Sequence, residues 1–137
     1  MIIIESIGSA ENDERFKDIM NRFQDGFPAY IECGNGWAEL ILKCHEQLKA
    51  FDHNYKIAQI KEKFGGLRFY FTPTNPAFTR HMGLMLTEIE RSSYLICEAC
   101  GQPGNLRTQG KGRWMKTLCL VHGPEEDGYV SASTISI

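Results

Sequence analysis

Two closely spaced pairs of metal-binding residue types constrain this 137-residue chain more than any other feature. Two residues separate Cys97 from Cys100, and two separate Cys119 from His122, eighteen residues further on. Three thiolates and one imidazole are a donor set that tetrahedral Zn²⁺ prefers. The pattern predicts one zinc ion with four protein ligands, a closed site that indicates a structural role. The alternative is two coincidental pairs of buried thiols.

The residues between the two pairs suggest how the site is built. Gly101 directly follows Cys100, where a metal knuckle often needs a residue with positive φ. Gly104, Gly110 and Gly112 bracket an extended piece, as in a β-hairpin. Cys119 and His122 have the spacing of one helical turn. Knuckle, hairpin and helix start together predict a treble-clef or zinc-ribbon-like module.

Charge balance and the distribution of apolar residues limit the classes of partner and the cellular location expected for this chain. Lys and Arg number 15 against 17 Asp and Glu, so the formal charge is −2. This balance disfavours broad, sequence-independent binding to nucleic acid but leaves room for a local basic patch. The start of the chain does not resemble a signal peptide, and no apolar stretch is long enough to span a membrane. We therefore expect a cytoplasmic protein, in which Cys33 and Cys44 are small buried thiols.

Hydrophobic periodicity predicts three helices before the metal module. The first is preceded by a short strand at Ile2–Glu5, is ended by Gly26 and Pro28, and has the apolar stripe Phe16, Ile19, Met20, Phe23 and Phe27. The second starts near Trp37 and buries Trp37, Leu40, Ile41, Cys44, Leu48 and Phe51. His45 and His53 are expected to be solvated. The third runs from about Asn75 to Ser92 with Phe78, Met82, Met85, Leu86 and Ile89 as its apolar positions.

A β-hairpin is predicted between the second and third helices, from Tyr55 to Phe71, with Gly65-Gly66 at or near its turn. Its second arm alternates, so Leu67, Phe69 and Phe71 should pack on the helices. The fold class is therefore α+β, with helices packed on a central hairpin. Residues 1–94 form the body, and residues 95–137 form a metal module docked on it as one compact unit. Val130–Ile137 is a last strand or a loose tail.

Two groups of basic and aromatic residues are candidate binding surfaces. The first, at the hairpin, is Lys61, Lys63, Arg68, Tyr70 and Trp37. The second, in the metal module, is Arg107, Lys111, Arg113, Trp114 and Lys116. Cations beside aromatic rings can hold phosphates and stack bases. The alternatives are a solvated hairpin in which Glu62 pairs with a cation, and a Trp114 that covers the metal site.

Four sequence blocks together resemble a group of small bacterial and phage or prophage proteins without an established activity. The blocks are CGNGW at 33–37, QIKEKFGGLRFY at 59–70, CEACGQPG at 97–104 and TLCLVH at 117–122. The resemblance covers roughly residues 27–123. It implies a zinc-containing α+β fold and a mobile-element origin, and it transfers no catalytic residues.

No phosphate-binding loop, nucleophile elbow or paired-histidine motif is present in the sequence. The first hypothesis is therefore a non-enzymatic adaptor or inhibitor that binds a host protein. The second is a nucleic-acid or nucleotide binder that uses the basic hairpin tips. The third is an enzyme with an unfamiliar site. We expect a monomer or a small homodimer.

Overall fold

A computed structural model describes residues 14–109 and 114–132, and within these ranges helices and strands are mixed. The α-helices are α1 (Lys17–Met20), α2 (Ala38–Phe51) and α3 (Thr79–Ser93). The strands are β1 (Ile31–Glu32), β2 (Lys56–Lys63), β3 (Gly66–Thr72), β4 (Asn105–Gln109), β5 (Met115–Leu118) and β6 (Tyr129–Ser131). The predicted α+β class is confirmed. The predicted strand at Ile2–Glu5 lies outside the described residues, as does the tail after residue 132.

The first sheet has the order β1-β2-β3 and is centred on the predicted hairpin. β2 and β3 are antiparallel, whereas β1 joins the other side of β2 in parallel. Phe64 and Gly65 have φ values of 52° and 84° at the turn, because a tight two-residue hairpin turn needs left-handed residues. A phenylalanine in this conformation is unusual and marks the hairpin tip.

The core lies between this sheet and helices α2 and α3. Leu67 and Phe69 are buried and Phe71 is partly buried, as their alternation predicts. The largest fully buried side chain is Trp37, just before α2. The rest of the buried core comprises Phe16, Ile19, Ile31, Cys33, Leu40, Ile41, Cys44, Leu48, Tyr55, Ile57, Ile60, Met82 and Ile89. The prediction that Cys33 and Cys44 are buried thiols is thus confirmed.

The prediction of a helix that continues to Phe27 is wrong. Between residues 14 and 27, helical structure is confined to a 3₁₀ turn at Glu14–Phe16 and to α1, which ends at Met20. Beyond it, Ile57 N–H donates to Arg22 O and Gln24 N–H donates to Ile57 O, each over 2.9 Å. These bonds to β2 hold the chain extended, so tertiary pairing overrides the local periodicity. Phe27 is left exposed.

The prediction that His45 is solvated is also wrong, because it is buried in a polar network. His45 Nδ1 lies 2.6 Å from Tyr55 Oη, and Nε2 lies 2.9 Å from a carboxylate oxygen of Asp18. The same oxygen accepts hydrogen bonds from the Arg22 guanidinium. Buried polar groups are tolerated when they are hydrogen-bonded in this way. The network ties α1 to α2 and to the start of β2, whereas His53 is exposed as predicted.

The second sheet is small, with the order β5-β4-β6 and antiparallel pairs throughout. Its buried cluster consists of Cys97, Leu118 and Tyr129. Cys119–His122 forms a single turn closed by a hydrogen bond of 2.8 Å from Gly123 N–H to Cys119 O. It does not begin an α-helix, and a short 3₁₀ turn at Glu125–Asp127 follows it.

Candidate metal centre

The four residues of the two sequence pairs meet at one point. Their ligand atoms all lie within 4.8 Å of one another. Cys100 Sγ is 3.8 Å from Cys119 Sγ, and His122 Nδ1 is 3.7 Å from Cys97 Sγ and 3.2 Å from Cys119 Sγ. None of the three thiols is in a disulfide. The arrangement is therefore one that can hold a metal ion with four protein ligands.

The first pair is positioned by a tight knuckle. Gly101 has φ +83°, and its N–H donates to Cys97 O over 2.9 Å, which turns the chain back behind Cys100. Gly104 passes so close to Cys97 that a Cβ there would lie 2.9 Å from the Cys97 nitrogen. Glycine at these two places is a requirement of the site geometry.

The surroundings of Cys97 and Cys119 shift the pKa values of their thiols in opposite directions. Burial raises the pKa of the Cys97 thiol to about 11, although backbone N–H groups of Cys119, Cys100 and Ala99 oppose this shift. For Cys119, burial is outweighed by hydrogen bonds from the backbone and side chain of His122, which lower its pKa to about 6. Cys119 therefore supplies a thiolate at neutral pH. Metal coordination must remove the proton from Cys97, which makes metal affinity fall with falling pH.

The metal module contacts the body closely at Gly36. Gly36 N–H donates to Glu98 O over 2.7 Å, and a Cβ at Gly36 would lie 2.0 Å from Cys97 O. Trp37 adds a hydrogen bond of 2.9 Å from its indole N–H to Ile96 O. Thr117 donates to Gly65 O at the hairpin tip over 2.7 Å. These bonds join the body to the metal module, while the exact division of the chain between them stays a prediction.

A buried charge cluster supports the same junction. The Glu98 carboxylate is fully buried, accepts the Gly34 N–H over 3.0 Å and lies 3.4 Å from Lys116 Nζ. Lys116 Nζ also lies 3.3 Å from Glu62. Burial raises the pKa of Glu98, while Lys116 opposes the shift. The sequence does not predict that Glu98, which lies between Cys97 and Cys100, joins the module to the body. The partners of its carboxylate, Gly34 and Lys116, lie far from it along the chain.

Several of the basic and aromatic candidates are engaged inside the molecule. Arg68 pairs with Glu90 of α3, and Lys116 is held by the two carboxylates described above. Arg107 is buried, and its Nε donates to Leu118 O over 3.0 Å, so its assignment to an exposed basic cluster is wrong. Trp37 is fully buried as well, so its assignment to a surface stacking site is wrong.

The remaining candidates lie on or near the surface. Lys61 is opposite Arg68 in the hairpin, Lys63 is exposed, and Tyr70 is partly exposed. Trp114 is 66% exposed, so most of its ring faces solvent. Lys111 and Arg113 lie outside the described residues. The structure therefore does not bring all the predicted cations together on one surface.

The Tyr55–His45–Asp18 chain has a donor-acceptor order that also occurs in catalytic sites. Here Tyr55 is fully buried, so no substrate atom can reach its hydroxyl. Arg22 donates from the same guanidinium to the backbone oxygens of His53 and Tyr55. We therefore interpret the network as a structural link between segments. A single histidine in a helical segment does not by itself predict such a buried network from the sequence.

No family model, curated protein or solved structure matches this chain significantly. Among the described residues, no helix has the length and apolar character that crossing a membrane requires.

Proposed function

We propose that this chain is a non-enzymatic, zinc-stabilised binding protein that acts as an adaptor or inhibitor of a host protein. The cofactor is one structural Zn²⁺ held by Cys97, Cys100, Cys119 and His122. A tetrahedral site with Zn–S near 2.3 Å and Zn–N near 2.0–2.1 Å needs sulfurs about 3.8 Å apart and sulfur-to-nitrogen distances of about 3.6 Å. Three of the six separations between ligand atoms, 3.8 Å, 3.7 Å and 3.2 Å, are near these values and support this assignment, and all six are within 4.8 Å.

The four protein ligands also support a structural role, because a catalytic zinc keeps one position for water or substrate. The combination of knuckle, β4–β5 hairpin and second ligand turn is typical of a zinc ribbon or treble clef. Of these two, the ribbon is favoured by the absence of an α-helix at Cys119–His122. The resemblance to phage or prophage proteins is the basis for a host protein as the partner.

One observation carries the binding function: Leu120 and Val121 are exposed between two metal ligands. Their exposed fractions are 66% and 78%, and the Cys119–His122 turn fixes their positions. Trp114, in the same module, is equally exposed. Large apolar side chains held rigidly in water are typical of protein-binding surfaces. Because the metal sets the turn, partner binding should depend on the metal.

The test is capture of partners from nuclease-treated host lysate with wild-type protein and with Val121→Glu. The variant should retain one zinc by native mass spectrometry and lose the captured protein. A matched control, Val130→Glu, changes an exposed valine away from the ligand turn and should retain it. Capture that is equal for wild type and Val121→Glu would refute this surface. Co²⁺ exchange, followed by visible absorption, tests the tetrahedral thiolate site independently.

A second candidate, nucleic-acid binding, is favoured by two exposed aromatic rings with cations beside them. Lys63 Nζ lies 5.8 Å from the Phe64 ring, and Lys116 Nζ lies 5.8 Å from the Trp114 ring. Such rings can stack bases. This alternative requires a nucleic-acid affinity that falls with salt and drops for Phe64→Ala.

A further inference from the structure

The outer edge of the first sheet is formed by β3. Among the described strands, β3 pairs with β2 and has no neighbour on its other side. Leu67 N–H donates to Ser93 Oγ over 2.9 Å, so the Leu67 main chain faces away from β2. Main-chain groups alternate in direction along a strand, and those of Phe69 and Phe71 therefore point outward too. An extended chain is the partner that satisfies such a row of groups.

Helix α3 runs beside this edge and forms a groove with it. The groove has a volume of about 260 Å³ and is lined by Phe69, Phe71, Leu86 and Gly83, among others. At one end, the bond between Leu67 and Ser93 brings helix and strand together. Toward Phe71, the N-terminal half of α3 contributes Gly83 to the lining. The groove therefore combines an open strand edge with an apolar wall.

Gly83 is the residue that leaves this wall open. A glycine inside a helix is unfavourable compared with alanine. A Cβ at Gly83 would meet nothing within 4 Å, so no contact within the described structure requires glycine there. Its physical effect is to leave room in the groove opposite β3.

The charges of the groove indicate what it can accept. Of the side chains that line it, Arg68 and Glu90 are the two charged ones, and they pair with each other. The lining therefore carries no net charge. A charged segment would find no complementary partner, whereas an uncharged segment with apolar side chains matches the wall.

We propose that the groove between β3 and α3 binds an extended, uncharged, apolar segment of another protein, which adds to β3 as a further strand. Main-chain hydrogen bonds to Phe69 and Phe71 supply affinity, and alternate side chains of the segment enter the apolar groove. This site lies apart from the Leu120–Val121 turn and does not rest on the proposed function.

The test uses a blocked hexapeptide of alternating valine and threonine, titrated into the full chain with its metal and followed by amide NMR. Binding should shift the Phe69 and Phe71 amides and slow their hydrogen exchange. The Arg68 and Tyr70 amides, which face β2, should change less. Peptides N-methylated at alternate amides distinguish strand addition from nonspecific contact. Methylation of the peptide amides that face β3 should abolish binding, and methylation of the amides that face away from β3 should preserve it.

Two variants of α3 complete the design. Gly83→Leu fills the groove and should weaken peptide binding by about tenfold or more, with zinc content and melting temperature maintained. Leu84→Gln, on the exposed side of the same helix, should bind as wild type does. Equal binding by Gly83→Leu, equal effects of both methylation patterns, or no peptide binding at millimolar concentration would each overturn the proposal. Concentration-dependent shifts of Phe69 and Phe71 without peptide would overturn it in favour of a second copy of the chain.

Discussion

The body and the metal module of this protein differ in the interactions that stabilise each of them. The body, residues 14–94, has sixteen buried core side chains between one sheet and its helices. The described part of the metal module has three, Cys97, Leu118 and Tyr129, and one of them is itself a metal ligand. Full burial of a large apolar side chain contributes about 1.5–3 kcal/mol. We therefore expect the body to rely on its core and the module to depend on a metal held by its Cys3His cluster.

The largest expected effect comes from removing a metal ligand. Cys97→Ala should abolish metal binding and unfold the module, because structural zinc can couple on the order of 10 kcal/mol of binding to folding. Native mass spectrometry reports the lost metal. In amide NMR spectra, the signals of the module should lose their chemical-shift dispersion, while those of the body should keep it. Cys44→Ala is the matched control, since it removes a buried thiol that is not a ligand. A variant with full metal content would contradict the assignment.

An intermediate effect is expected from a cavity in the body. Leu48→Ala removes a fully buried side chain of α2 and should lower the free energy of unfolding by about 2–5 kcal/mol. The metal content should remain that of wild type. Urea denaturation measures the change, with the exposed Leu84→Ala as a control expected within about 0.5 kcal/mol of wild type. Metal loss in the folded Leu48→Ala protein would show that the two regions are not separable in this way.

The smallest effect concerns pH and belongs to the body. Burial lowers the pKa of His45 below its ordinary value of 6.5, with Asp18 opposing the shift. The unfolded chain then binds a proton that the folded chain does not, so stability is lost as pH falls below about 6.5. For one proton the loss is at most about 1.4 kcal/mol per pH unit.

Urea denaturation at pH 7.5 and pH 5.5, for wild type and for His45→Gln, measures this contribution. Metal release also depends on pH, but it is common to both proteins and cancels in the difference. Asp18 does not interfere, because hydrogen bonds from Arg22 and Lys49 outweigh burial and lower its pKa to about 2. A pH dependence of the same size in His45→Gln would assign it to other groups.

Features that depend on near neighbours could be predicted from the sequence. The hairpin needs a tight turn and alternating side chains, and residues 55–71 supply both. α2 and α3 were predicted by periodicity because each is long enough for a complete apolar face. The ligand set follows from residue type and spacing. Each of these signals is contained within one short stretch of chain.

Features that depend on distant partners could not be predicted. α1 ends early because residues 22–24 bond to Ile57, more than thirty positions away. His45 is buried because Asp18 and Tyr55 satisfy both ring nitrogens. Arg68 is not a free surface cation because it pairs with Glu90, and Arg107 is buried because it donates a hydrogen bond to Leu118 O.

The sequence by itself thus determined the four metal-ligand positions, the hairpin and the two long helices, since ligand chemistry, turn geometry and periodicity act locally. Tertiary structure alone decided that Glu98 and Gly36 join the module to the body. It also decided that three of the five predicted cations within the described residues, Arg68, Arg107 and Lys116, bond to partners inside the molecule. Within the described residues, it also left the β3 edge beside Gly83 without a neighbouring strand. Burial and pairing depend on which distant segments meet in space, and a linear pattern of residues does not encode that directly.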